Sequence, residues 1–293
     1  MQIKCVAPTR SGVGEGAVWD ERAQVLWWVD IPAGLIHKYR PDTGVNDTID
    51  FGEPVGCLAV REQGGLVIAA KSGFYLYDPD SNKREFLSDP ESHLPDNRFN
   101  DGTTDAQGRF WAGTMKDGGT PEQLGQFFRL DQDHTAHPWK DKIYTTNGLA
   151  FSPDGKTMYF SDSNPGVRTI WACDYDTQTG TPGTPRVFFD TNAVPGRPDG
   201  GTVDADGCYW MAGVSGWQLY RLTPDGKIDL TIDMPVEKPT KPMFGGKDLD
   251  ILYVTSIGAG MDADALAKQP DAGGLFEITG LGIKGLNQTR FAG

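Results

Sequence analysis

A short pattern recurs along this chain and constrains its fold more than any other feature. A polar turn, often Asp-x-x-Gly, leads each time into a strand with an aromatic or branched residue at its middle. Asp20 to Gln24 precedes Val25-Leu26-Trp27-Trp28-Val29, and Asp105-Ala106-Gln107-Gly108 precedes Arg109-Phe110-Trp111-Ala112. Ser152-Pro153-Asp154-Gly155 and Asp204-Ala205-Asp206-Gly207 precede equivalent segments, as do Gln63-Gly64-Gly65 and Gly246 to Asp250. With Trp27, Val67, Trp111, Tyr159, Trp210 and Tyr253 as anchors, the intervals are 40, 44, 48, 51 and 43 residues. That spacing matches the ~40–50 residues of a four-stranded propeller blade. A second strand follows each anchor after a turn, for example Gly34 to Tyr39 and Gly216 to Leu222. The pattern predicts an all-β chain: a six-bladed β-propeller of four antiparallel strands per blade, one domain over residues 1–293. A β-sandwich needs only ~7–9 strands, fewer than six paired anchors already supply. Met1 to Val6 reads as a strand without a blade of its own. It is expected to close the ring beside Leu275 to Ile278, because an open ring leaves edges unpaired. The one helix-like patch, Met261 to Lys268, reads as a short loop helix.

Composition narrows the partners. The chain carries 27 Lys and Arg against 40 Asp and Glu, a formal charge of −13. Such a field repels phosphate, so neither nucleic acid nor an anionic membrane is an expected partner. No apolar run approaches the ~18 residues of a membrane span. Met1 to Pro8 lacks the basic-then-apolar pattern of a secretory leader. Cys5, Cys57, Cys173 and Cys208 are scattered without a C-x-x-C pair and read as small buried hydrophobes in a reducing, cytoplasmic setting. No protein partner is implied.

The usual catalytic signatures are missing. None of the four histidines sits in H-E-x-x-H, G-x-S-x-G is absent, and the Gly pairs match no phosphate loop. His134 and His137 read as a solvated pair. Chemistry must then come from carboxylates, amides and a metal ion. Four polar segments supply them: Gly14-Glu15-Gly16, Asn97 to Gly102, Thr146-Asn147-Gly148, and Arg197 to Gly201. Each alone reads as a turn. Together they share a register: Glu15 and Asn147 lie 12 residues before their anchors, Asn100 and Asp199 lie 11. Equivalent positions in radial repeats fall on one ring, so these groups are expected at the mouth of the central channel. The matching stretches near Pro54 to Gly56 and Pro239 to Pro242 carry no carboxylate or amide. Glu15, Asn147 and Asp199 offer three oxygens, two of them charged. That set suits Ca²⁺, Mg²⁺ or Mn²⁺, with Zn²⁺ or Fe²⁺ as alternatives.

At these segments the chain resembles the senescence marker protein/regucalcin, gluconolactonase and luciferin-regenerating-enzyme family. The resemblance is carried by Gly14-Glu15-Gly16, Asn97 to Gly102, Asp105-x-x-Gly108-Arg109, Ala112 to Met115, Asn147-Gly148, Pro198-Asp199-Gly200, Phe244 to Lys247 and the tail Ala272 to Gly282. It implies a six-bladed propeller with one divalent cation in the channel and hydrolysis of sugar lactones such as gluconolactone. Carried over position by position, it implies Glu15, Asn147 and Asp199 as metal ligands and Arg98 and Asn100 as substrate contacts. A Glu after Gly-Thr-Met also contacts substrate in the regucalcin branch. Here the loop Lys116 to Leu124 is shorter, and Glu122 is the residue available.

The expected reaction is metal-assisted opening of a lactone to the aldonic acid. Asp199 would serve either as general base or by orienting water that the cation has acidified. Two alternatives stand beside it: a phosphotriesterase-type hydrolase, and a calcium-binding regulatory propeller without turnover. Arg98, Asn100 and Asp101 are more polar than an apolar organophosphate requires, which favours a hydroxylated sugar lactone as the small-molecule partner.

Overall fold

The computed structural model describes residues 1–293 and contains six antiparallel sheets. Blade 1 is built from Gly14–Asp20, Val25–Asp30, Leu35–Arg40 and Val45–Asp50. Blades 2 and 3 begin with Val55–Val60 and Asn97–Thr104, blades 4 and 5 with Thr146–Phe151 and Arg197–Val203, and blade 6 with Pro239–Gly245. In each case this first strand is the innermost, and the next strand in sequence pairs with it. Blade 4 departs slightly from the pattern, carrying the two-residue strand Thr181–Pro182 beside its outer strand Arg186–Asp190. The ring closes as the sequence predicts. Gln2–Ala7 forms the outer strand of blade 6, pairing with Leu275–Thr279 in the register Ile3 to Ile278 and Cys5 to Phe276. The patch after Met261 contains one helix, Ala263–Lys268. All four cysteines are free. His137 is less free than expected, with Nε2 3.2 Å from Asp131.

The apolar runs of the second strands follow from burial on both faces, since successive side chains point to opposite sides. Val25, Trp27 and Val29 turn toward blade 2 and join Leu58, Val60 and Ile68. Leu26 and Trp28 turn the other way, toward Met243 and Tyr253 of blade 6. Each of the six junctions between neighbouring blades holds one apolar cluster built this way. The recurring turn aspartates hold the hairpins below. Asp105 Oδ1 accepts from the backbone N–H of Gln107 (2.9 Å) and Arg109 (3.0 Å). Asp204 accepts likewise from Asp206 and Cys208, and its other oxygen receives Trp210 Nε1 at 2.8 Å.

The segment after Thr279 was not anticipated as structure. It crosses the hairpin end of the channel as a strap. Gly285 N donates to Leu249 O (2.7 Å) of blade 6, and Ala205 N of blade 5 donates to Lys284 O (2.8 Å). Ala292 N reaches Gly108 O of blade 3 and Phe291 N reaches Val60 O of blade 2. Phe291 is fully buried, and Arg290 pairs with Asp20 of blade 1.

Candidate active site at the channel mouth

All six innermost strands break register with their neighbour at one level. The shifts fall between Glu15 and Val18, Val55 and Cys57, Phe99 and Gly102, Asn147 and Ala150, Pro198 and Gly201, and Pro239 and Pro242. Each places one extra residue on the inner strand. A bulge of this kind bends the strand and re-aims side chains, so the repeat becomes a ring of redirected residues around the channel. Glu15 and Asn147 sit on the last paired position before the bulge; Asn100 and Asp199 are the first residues inside it. The sequence offsets of 12 and 11 divide on the same line. Gly16 and Gly148 adopt φ of 60° and 67°, a left-handed conformation that side chains disfavour, which is why glycine follows Glu15 and Asn147.

The ring has two levels. At the upper one Glu15 and Asp199 are both buried and act electrostatically on each other. Glu15 Oε2 also accepts from Gly16 N at 2.8 Å. Burial and the facing Asp199 carboxylate push the Glu15 carboxyl well above the usual range. Burial lifts Asp199 to about 7, against the Glu15 carboxyl and the Arg197 charge, which favour its ionised form. Asn147 donates through Nδ2 to Ser163 Oγ (2.7 Å), and its Oδ1 accepts from Asn100 Nδ2 (3.1 Å). Asn100 Nδ2 also reaches Thr146 O at 2.8 Å. Arg98 donates through Nη1 to Asn100 Oδ1 (2.8 Å) and Phe99 O (2.9 Å), and its Nε faces Asp117 at 3.2 Å.

Below lies a charge pair. Lys241 Nζ sits 2.8 Å from Asp101 Oδ1, both side chains almost wholly buried. Asp101 Oδ2 accepts from Leu149 N at 3.0 Å. Both Asp101 oxygens are therefore engaged beneath the ring. Gly200 makes room for the Lys241 stem: a Cβ there would meet Lys241 Cδ at 2.5 Å. Under the pair a cavity of about 190 Å³ is lined by Lys241, Leu149, Thr103 and Thr202 and floored by Leu286 to Thr289 of the strap.

Lys241 was not legible as a ring residue, because the ring announces itself through carboxylates and amides and blade 6 contributes a cation. The available signal was a lysine between two prolines at the bulge position. Nor was Glu91 legible, a buried carboxylate that accepts from Asn97 Nδ2 (2.9 Å) and Thr114 Oγ1 (3.0 Å) behind Arg98. Glu122 lies on the rim, paired with Lys116 and half exposed, apart from the buried groups.

The chain gathers no three His, Cys, Asp or Glu side chains into a metal-binding group. The upper ring instead combines two carboxylates with an amide. Two carboxylates held together in a buried place, with an amide on the same ring, fit a hard divalent ion.

The sequence profile described as "SMP-30/Gluconolactonase/LRE-like region" matches residues 13–258. A 6-deoxy-6-sulfogluconolactonase of Pseudomonas putida is 40% identical over 291 residues, 99% of each chain. Regucalcin of Xenopus laevis is 36% identical over 298 aligned positions, covering 100% of this chain and 99% of its own. A solved luciferin-regenerating enzyme superposes with a TM-score of 0.92 at 30% identity, over 99% of both chains. The ring of bulged inner strands is thus the centre of a chain that belongs to the SMP-30/gluconolactonase/LRE-like family.

Proposed function

We propose that this protein is a lactonase that opens a sugar lactone to its aldonic acid with the help of one divalent cation at the upper ring. Family membership and the 40% identical sulfogluconolactonase support the lactonase class. The single observation that carries the finer reading is the buried juxtaposition of Glu15 and Asp199 beside Asn147. Such an arrangement is unfavourable without a cation and useful with one.

Glu15, Asn147 and Asp199 would hold the ion, whose chemistry when bound is Lewis-acid polarisation of the lactone carbonyl. Asn100 fixes the amide of Asn147, and Ser163 fixes its other end. Arg98 and Asn100 line the side from which the sugar hydroxyls would be gripped, and Glu122, on the exposed loop, would reach a bound sugar only by leaving Lys116; their contribution is orientation. Asp199 would take the proton from the attacking water or orient that water beside the ion, whose charge would draw the carboxyl back toward its usual range. Asp101 already accepts from Lys241 and Leu149, so its first contribution is to hold the floor of the site.

Steady-state hydrolysis of a panel of sugar lactones, with and without chelator and corrected for spontaneous opening, tests the reading. Turnover lost on chelation and restored by a divalent ion is expected. Calcium binding without turnover, or faster turnover of phosphotriesters, would overturn it.

A further inference from the structure

Two cations share one register position without a carboxylate, Arg197 before Pro198 and Lys238 before Pro239, and Lys238 turns its Nζ to the Ala259 carbonyl at 3.3 Å. Arg98 faces Asp117 and Lys241 faces Asp101. Arg197, the first residue of the inner strand of blade 5, donates through Nη1 to Ser163 O at 3.2 Å. Ser163 is the residue whose hydroxyl receives Asn147, so the guanidinium stands one residue from the ring. Its charge acts on Asp199. It is partly exposed, whereas Pro198 and Asp199 beside it are buried.

The position is built rather than accidental. The loop that delivers Arg197 is gathered by Arg168, whose Nη2 shares its two hydrogens among the surrounding carbonyls of Thr191 (2.8 Å), Val194 (2.8 Å), Pro195 (3.2 Å) and Gly196 (2.9 Å). A guanidinium with donors to spare, fixed at the edge of a buried site, is suited to planar anions. Charge points the same way. With Lys241 and Arg98 matched, the ring retains Glu15, Asp199 and Arg197. A divalent ion on the two carboxylates would leave Arg197 uncompensated beside them.

We infer that Arg197 selects lactones bearing an anionic group, a sulfonate, phosphate or carboxylate, at the end of the sugar remote from the ring carbonyl. This rests on the lactonase reading above and names its substrate class. Arg197 is a specificity residue and takes no part in moving protons.

The test compares kcat/KM for glucono-1,5-lactone with that for the same lactone carrying a 6-sulfonate or a 6-phosphate, in the parent, Arg197→Gln and Arg197→Lys. The parent is expected to prefer at least one anionic lactone. Arg197→Gln should lower the anionic-to-neutral ratio by about 10- to 100-fold, the range for a lost charge-assisted hydrogen bond, and Arg197→Lys should restore part of it. Whichever anion shows the larger change identifies the group. An equal loss on both lactones would instead mean that Arg197 acts through Asp199, and an unchanged ratio that it faces no anion; either overturns the inference while leaving the lactonase standing. Absence of turnover of every lactone by the parent removes the lactonase reading and this inference with it.

Discussion

The two levels of the channel are built from the same repeated bulge and have opposite electrostatic character. In the lower one, Lys241 meets Asp101 at 2.8 Å and a backbone N–H takes the second carboxylate oxygen. Every charge there has its partner inside the protein. In the upper one, Glu15 and Asp199 face each other, and both are driven toward the protonated form. The difference lies in which side chain each blade offers at the bulge. A fold that repeats its backbone six times can therefore devote one level to rigidity and leave the next unsatisfied. An unsatisfied level is where a ligand gains most from binding.

The sharpest way to break the contrast is Asp199→Asn. With metal content checked, kcat for lactone hydrolysis should fall by roughly two to four orders of magnitude, as for a lost general base. Near-parent kcat in the metal-replete variant would remove that role. The lower level should respond in stability instead. Lys241→Met leaves Asp101 buried and unpaired, and denaturant unfolding should register a loss of about 3–5 kcal/mol. Replacing Asp101 by Leu in the same chain should recover most of it; if it does not, the pair is not the source.

Acidity sharpens the comparison further. Asp199, lifted to about 7, binds a proton more readily folded than unfolded, where an aspartate titrates near ~3.9. Its contribution to stability is thus fully present below about 4 and is lost as pH rises through about 7. In chelator, the parent should lose up to about 4 kcal/mol relative to Asp199→Asn across that window. Parallel pH profiles for the two proteins would contradict the raised titration. The smallest effect is expected from Arg98→Ala, which should raise KM by ~1–3 kcal/mol of lost binding with kcat less affected. A drop confined to kcat would move Arg98 from orientation into the chemical step.

Much of this was legible in the residues. The anchors disclosed the blades because a sheet buried on both faces writes an unbroken apolar run such as Val25 to Val29 between polar turns. The closing strand was legible because Met1 to Val6 had no partner nearby. The polar ring could be read because bulges fall at one level and glycine follows Glu15, Asn147 and Asp199. Lys241 could not be read in the same way. Its partner Asp101 lies 140 residues away, and only ring closure brings them together. Pro239 and Pro242 also argue against a strand. An innermost strand lines the channel and has a free edge there, so it tolerates them. The strap was hidden for another reason: Leu281 to Phe291 has no alternation, because it pairs with single residues of successive hairpins and never with one long edge.

The closure of blade 6 bears on how the chain comes off the ribosome. Gln2–Ala7 emerges well before its partner Leu275–Thr279, which follows some 270 residues later. At ~5–20 residues per second the early strand waits roughly 15 to 55 s for that edge. Its composition suits the delay. Gln2 and Lys4 are exposed while Ile3 and Cys5 are only partly covered, so the waiting strand shows water a charged and broken face. Polar residues that look incidental in the finished ring would keep a nascent chain from pairing with the wrong neighbour before its own arrives.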